Sequence, residues 1–313
     1  MPVRENAITL ILGSGGARGL AHIGVLKCLE EHRITVRCIA GTSIGAFVGG
    51  LHASGMSALA MEDVVLSMDK LTMTRILLPR LSASGIIKTA PVRKFITGLA
   101  GQRRIEEMDV TFRAVATDLM TGEEVVFDHG PLVDAILASM AFPGLFKPVL
   151  NDGRYLIDGG LSNPVPVSVT ADLGPGLRVA VDVAPNPRRL RARISEGQAK
   201  QDARNRRVVP AWLSEAMKGD RYPRLGRTLR RVPVRARKVN GPYYPTAIRV
   251  SLQAISISAH NLIQLHMQKT PPDLLITPAV EEFDMLEFHR GAEIIRSGYE
   301  AAEAAIPELL HLL

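Results

Sequence analysis

The sequence is poor in cysteine, with Cys28 and Cys38 the only two among 313 residues. That excludes a small disulfide-held scaffold and fits a reducing compartment. No export signal is read at the start: the apolar run Ala7 to Leu12 is too short for one, and Gly-Ser-Gly-Gly follows at once. The expected location is therefore the cytoplasm, with peripheral contact at the inner membrane face. Residues 38–61 lack Asp, Glu, Lys and Arg, a length that could cross a bilayer. Five glycines, three serines, Thr42 and His52 interrupt it, so a buried strand-turn-helix is the better reading. Apolar residues are plentiful, at 46% with mean hydropathy +0.11, which excludes a disordered chain.

Acidic residues are scarce in one place. The formal charge is +7, but residues 186–240 hold 17 Lys and Arg against 4 Asp and Glu, a net of +13, and the rest of the chain is net negative. This stretch is broken by Pro210, Pro223 and Pro233 and has little periodicity. Its charge suits an anionic lipid surface, where each Lys or Arg contributes about 1 kcal/mol. A solvated lid is the second reading. Nucleic acid ranks third, because aromatics are sparse and no nucleic-acid-binding motif accompanies them.

Elsewhere the pattern is α/β. Ile8 to Leu12 reads as a buried strand, Leu20 to Glu31 as a helix, Val36 to Ala40 as a second strand and Ile44 to His52 as a second helix. Such an opening predicts a mainly parallel sheet with helices on its faces. Phe112 to Asp118 and Glu124 to Phe127 predict a hairpin around Thr121-Gly122, and Pro131 to Met140 a helix. Tyr155 to Ile157 leads into Asp158, and Leu177 to Val183 is another strand. A helix over Ile248 to Gln268, a strand over Leu274 to Ile276 and a long helix over Asp284 to Ala305 complete the reading.

Three motifs carry chemistry. Gly13-Ser-Gly-Gly-Ala-Arg-Gly19 stands between strand and helix, where backbone N–H groups can converge on an anion. It fails as a dinucleotide fingerprint: counting from Gly13, the third glycine position is Arg18, and no acidic residue ends the second strand. Gly41-Thr-Ser-Ile-Gly45 is a G-x-S-x-G turn that would expose Ser43 at a strand end and a helix N-terminus. None of the eight histidines lies at a strand end followed by small residues, where a partner base for that serine is expected. The third motif, Asp158-Gly159-Gly160, offers a carboxylate that could take the Ser43 proton directly if its surroundings exclude water. Asp118 and Asp182 are read as structural. There is no His-x-x-x-His pair or cysteine cluster to bind a metal, and no cofactor is expected.

In this order the motifs resemble the bacterial branch of the patatin-like phospholipase family. The segments Gly15 to Leu26, Ala116 to Glu123, Ala141 to Phe146 and Pro271 to Ile276 extend the resemblance over about 1–185 and 248–305. It implies a three-layer α/β sandwich with a mainly parallel central sheet, forming a single acyl hydrolase domain over 1–313. The basic stretch, at about 186–247, would be an insertion. It also implies a serine lipid acyl hydrolase acting on phospholipid, lysophospholipid or another acyl ester through an acyl-enzyme. Ser43 would be the nucleophile and Asp158 the general base. Gly15, Gly16 and Ala17 would form the oxyanion hole, with Arg18, Gly19, Gly41, Gly45, Gly159 and Gly160 in support. Ser14 departs from the family's usual glycine and would be strained if that position needs positive φ. The rival reading is a catalytically silent adaptor using the basic segment to hold a membrane or partner.

Overall fold

The computed structural model describes residues 7–67, 89–173, 176–184 and 247–313. By its contacts the chain divides into one unit of Met1–Pro187 with Gln253–Leu313 and a second of Arg188–Leu252. Almost all of the second unit, and with it the basic segment, lies outside the described residues.

The eight strands of the sheet are β1 (Ala7–Leu12), β2 (Thr35–Thr42), β3 (Thr111–Asp118), β4 (Glu124–Phe127), β5 (Val149–Asn151), β6 (Arg154–Asp158), β7 (Leu177–Val181) and β8 (Leu274–Ile276). Their order is β5-β6-β3-β2-β1-β7-β8, with β4 also paired to β3. The pairs from β3 through β2, β1 and β7 to β8 are parallel, whereas β4, β5 and β6 join antiparallel. The central strands are covered on both faces, which explains why β1 is an unbroken apolar run. Leu10 and Leu12 enter the larger core with the helices α1 (Ala21–Glu31), α2 (Ile44–Ala53), α3 (Ala58–Ser67), α4 (Thr89–Ala100), α5 (Leu132–Ser139) and α7 (Gly291–Leu312). Ile11 enters a smaller one with Ala40, Val115, Val165, Val167 and Ile263 of α6 (Ala247–Lys269).

This is the three-layer α/β architecture expected, and the uncharged stretch 38–61 is indeed strand, turn and helix. Among the described residues no helix is long and apolar enough to cross a membrane. The last helix differs at both ends, running from Gly291 to Leu312 and not from Asp284 to Ala305. Residues 284–287 form a turn and Phe288–Arg290 a 3-10 helix. Here the Met285 carbonyl accepts the Ala17 N–H at 2.8 Å, and Arg290 pairs with Glu282 and Glu293 while stacking on Phe283. Those tertiary contacts outweigh the helical periodicity of the segment.

Candidate active site

β1 and β2 are adjacent and parallel, so the turns that follow them emerge at the same edge of the sheet. The Gly13–Gly16 turn leaves β1, and Ser43 leaves β2. Thr42 is in register with Val115 of β3, and the next β3 residue, Ala116, faces Asp158 of β6. The sheet register therefore brings residues 43 and 158 to the same level, 115 positions apart in sequence. The Ser43 hydroxyl donates to Asp158 Oδ2 at 2.5 Å.

Ser43 sits at φ 58°, ψ −119°, a conformation costly for a residue with Cβ. The surroundings hold it there. Its N–H donates to Ser139 Oγ at 2.8 Å, and Ser139, fully buried, donates its own proton to the Val115 carbonyl at 2.6 Å. Thr42 donates to the Asn163 carbonyl at 2.8 Å. At Gly45, a Cβ would overlap the carbonyl of Leu12, so only glycine lets α2 start this close to β1. Gly41 and Gly159 are equally confined, by the Gly45 carbonyl and the Val115 carbonyl. Gly19 lies under Ile44.

Asp158 is buried, 3% exposed, and its other oxygen accepts the Gly160 N–H at 2.8 Å. Burial pushes its carboxyl up from the usual 3.8 to about 6, against the hydrogen bonds from Ser43 and Gly160 that favour the charged form. A carboxylate tuned in this way is a better proton acceptor than a solvated one and is still ionised at neutral pH.

In the glycine turn, Gly13 N–H is taken by Val181, Ser14 N–H by Pro164 and Ala17 N–H by Met285. Ala17 therefore drops out of the expected trio of anion donors. Among the described residues no acceptor faces the N–H groups of Gly15 and Gly16. The positive φ falls on Gly16, at 60°, and not on Ser14, so the serine in place of glycine carries no strain. Arg18 braces the turn from behind, its Nε donating to the Phe283 carbonyl at 2.7 Å.

Sequence reasoning missed two supports. His22 is fully buried and donates through Nε2 to the Gly13 carbonyl at 2.8 Å. Burial lowers its pKa to about 4, which keeps it neutral as a brace. Ser139 carries no signal in the sequence because both its partners are distant in the chain. Asp118 is a turn cap, accepting the Met120 N–H, and Asp182 accepts the Ala184 N–H. Both are structural, as read.

The site opens into a cleft of about 970 Å³, solvent-open space included, with Phe142, Phe146, Ile255, Met285 and Phe288 on its apolar walls. No histidine is among its described lining residues. One three-residue group with metal-ligating side chains, Cys28, His32 and Glu303, occurs among the described residues, and its members hydrogen-bond to one another.

Fold and site together define an α/β protein with a strained serine at a strand-to-helix elbow, paired with a buried aspartate beside a glycine turn. The chain belongs to the patatin-like phospholipase family, whose model matches residues 10–171. An uncharacterized NTE family protein of Mycobacterium tuberculosis is 42% identical over 176 residues, 56% of this chain and 49% of that one. Human patatin-like phospholipase domain-containing protein 6 is 36% identical over 189 residues, 57% of this chain and 13% of that one. Lysophospholipase NTE1 of Meyerozyma guilliermondii is 27% identical over 316 residues, 96% of this chain and 19% of that one. The chain thus spans about half the length of the mycobacterial relative and less of the others.

Proposed function

We propose that this protein is a serine lipid acyl hydrolase of the phospholipase A, lysophospholipase or carboxylesterase type. The observation that carries the reading is the 2.5 Å hydrogen bond from Ser43 Oγ to a buried Asp158, beside the Gly15 and Gly16 N–H groups, which meet no acceptor among the described residues. Asp158 takes the Ser43 proton as Oγ bonds to the ester carbonyl carbon. The carbonyl oxygen becomes an oxyanion, held by the N–H groups of Gly15 and Gly16 and by the positive end of α2. Collapse expels the alcohol, which leaves with the proton from Asp158, and an acyl-serine remains. Water then attacks it, giving its proton to Asp158, and the departing Ser43 oxygen recovers that proton as the fatty acid is released. An isolated oxyanion-hole donor of this kind is worth about 10²–10³ in kcat.

The apolar cleft walls and the family's phospholipase character support a lipid ester as substrate, and the lysophospholipase named among the relatives supports a lysophospholipid. A panel of phospholipids, lysophospholipids and simple esters tests this: wild type hydrolyses at least one class, and Ser43→Ala hydrolyses none. A wild type inert on the whole panel returns the protein to the adaptor reading.

We read residues 1–313 as one acyl hydrolase domain carrying an arginine-rich insertion at about 186–247, a peripheral contact for anionic membrane. Replacing six of its arginines with glutamine weakens binding to phosphatidylserine liposomes by at least tenfold and leaves turnover of a soluble short-chain ester unchanged. Equal liposome binding removes the membrane role.

A further inference from the structure

A Cβ on Gly24 of α1 would overlap the Ile295 carbonyl of α7, and one on Gly298 of α7 the Ala21 carbonyl, so the two helix backbones touch at these glycines. From that crossing the helices run on together. Cys28 comes one turn beyond Gly24, and Glu303 comes at a similar distance beyond Gly298. Cys28 Sγ donates to Glu303 Oε2 at 3.3 Å. His32 caps α1 a further turn on, over the same face as Cys28, and its Nε2 stands 2.9 Å from the same carboxylate oxygen. Sulfur, ring nitrogen and carboxylate oxygen all lie within 4.8 Å of one another.

Three donors at these separations outline one face of a coordination tetrahedron. Around Zn²⁺, with bonds of about 2.0–2.3 Å, such ligands stand about 3.3–3.6 Å apart. Cys28 and His32 are within a few tenths of an ångström of that spacing from Glu303. The glycine crossing fixes the third ligand against the other two before any metal arrives. Cys28 is buried, His32 half-buried and Glu303 exposed, so the group is anchored in the seam and open to solvent on the Glu303 side. Glu31 accepts the Tyr299 hydroxyl at 2.6 Å across the same seam, and this second carboxylate favours a cation there. Mg²⁺ and Ca²⁺ take oxygen ligands, whereas a thiolate, an imidazole and a carboxylate together suit Zn²⁺.

We propose that Cys28, His32 and Glu303 form a zinc site that clamps the end of α1 to α7, with water in the fourth position. Binding sends the Cys28 thiol proton to solvent and changes no oxidation state. None of the three ligands is among the described residues lining the catalytic cleft, so the ion holds helices together and takes no part at Ser43. The site stands whether or not Ser43 cleaves esters. Sequence hides it because one helix supplies Cys28 and His32 while Glu303 lies 271 residues beyond His32.

The test titrates the metal-free chain with Zn²⁺ and with Co²⁺ as a spectroscopic stand-in. Wild type should bind one Zn²⁺ per chain and melt roughly 4 °C higher at a hundredfold excess over Kd. With Co²⁺ it should show the near-ultraviolet sulfur-to-metal charge-transfer band. Glu303→Gln, an exposed change that spares the core, should weaken Zn²⁺ binding at least tenfold, as should Cys28→Ala, which also abolishes the band. Cys38→Ala, which alters the only other cysteine, should leave both intact. No uptake of Zn²⁺ by wild type, a Co²⁺ spectrum without the thiolate band, or equal Zn²⁺ affinity in Glu303→Gln would each overturn the proposal.

Discussion

Asp158→Asn loses ester hydrolysis by about 10³–10⁴-fold and is nevertheless the more stable protein at pH 8. Activity falls because an amide cannot accept the Ser43 proton. Stability rises for a separate reason. In the folded protein the Asp158 carboxyl titrates at about 6, against 3.8 in its ordinary state. The native state therefore holds a proton that the unfolded chain has released between those values. The contribution of this group to stability is greatest below pH 3.8, falls as pH rises towards 6, and stays reduced above. The deficit is on the order of 3 kcal/mol. Asn removes the buried charge and keeps an oxygen for the Gly160 N–H, while its amide donates to the Ser43 hydroxyl. Thermal denaturation of both proteins from pH 4 to 8 checks this. The melting-temperature gap should open between pH 4 and 6 and then level off. A gap independent of pH would show that Asp158 is not held with a raised pKa. The same ionisation makes wild-type kcat/KM rise with pH through about 6.

Gly45→Ala has the second large effect, from a single methyl group. Its Cβ would overlap the carbonyl of Leu12, a backbone atom that cannot turn aside. The start of α2 must move off β1, carrying Ser43 away from Asp158 and from the glycine turn. A misplacement of about 1 Å costs roughly 10²-fold in rate, and overpacking costs about 1–3 kcal/mol. Gly98→Ala is the control. It lies in α4 with nothing near its Cβ position, so alanine there stabilises by up to about 1 kcal/mol and leaves turnover unchanged. Melting temperature and ester turnover of the two variants should therefore separate: both fall in Gly45→Ala, whereas Gly98→Ala melts higher at wild-type turnover. A Gly45→Ala protein with wild-type activity would remove the steric account of the elbow.

Much of the fold and of the site is legible in the order of the amino acids. A strand buried on both faces must be continuously apolar, so β1 announces itself, and the glycines around Ser43 mark a turn too tight for side chains. Asp158 can be named because an Asp followed by two glycines permits close backbone approach, and because no histidine stands where a base should. The rest is decided by partners distant in the chain. The Ala17 N–H is lost to Met285 from 268 residues away, and that same contact keeps residues 284–290 out of the final helix. His22 looks like one polar residue on a helix, yet its imidazole is buried beneath the Gly13 carbonyl. Ser139 joins Ser43 to Val115 by bonds that no local pattern encodes.

The central claim is that Ser43, activated by Asp158, attacks acyl and phosphonyl centres. Labelling with a fluorophosphonate probe, followed by peptide mapping, tests it most directly. Wild type should take up one label, on Ser43, with a rate that climbs as pH rises through about 6. Ser43→Ala should remain unlabelled and Asp158→Asn should label at least a hundredfold more slowly. A label on any residue but Ser43, or an Asp158→Asn protein labelled at the wild-type rate, would contradict it.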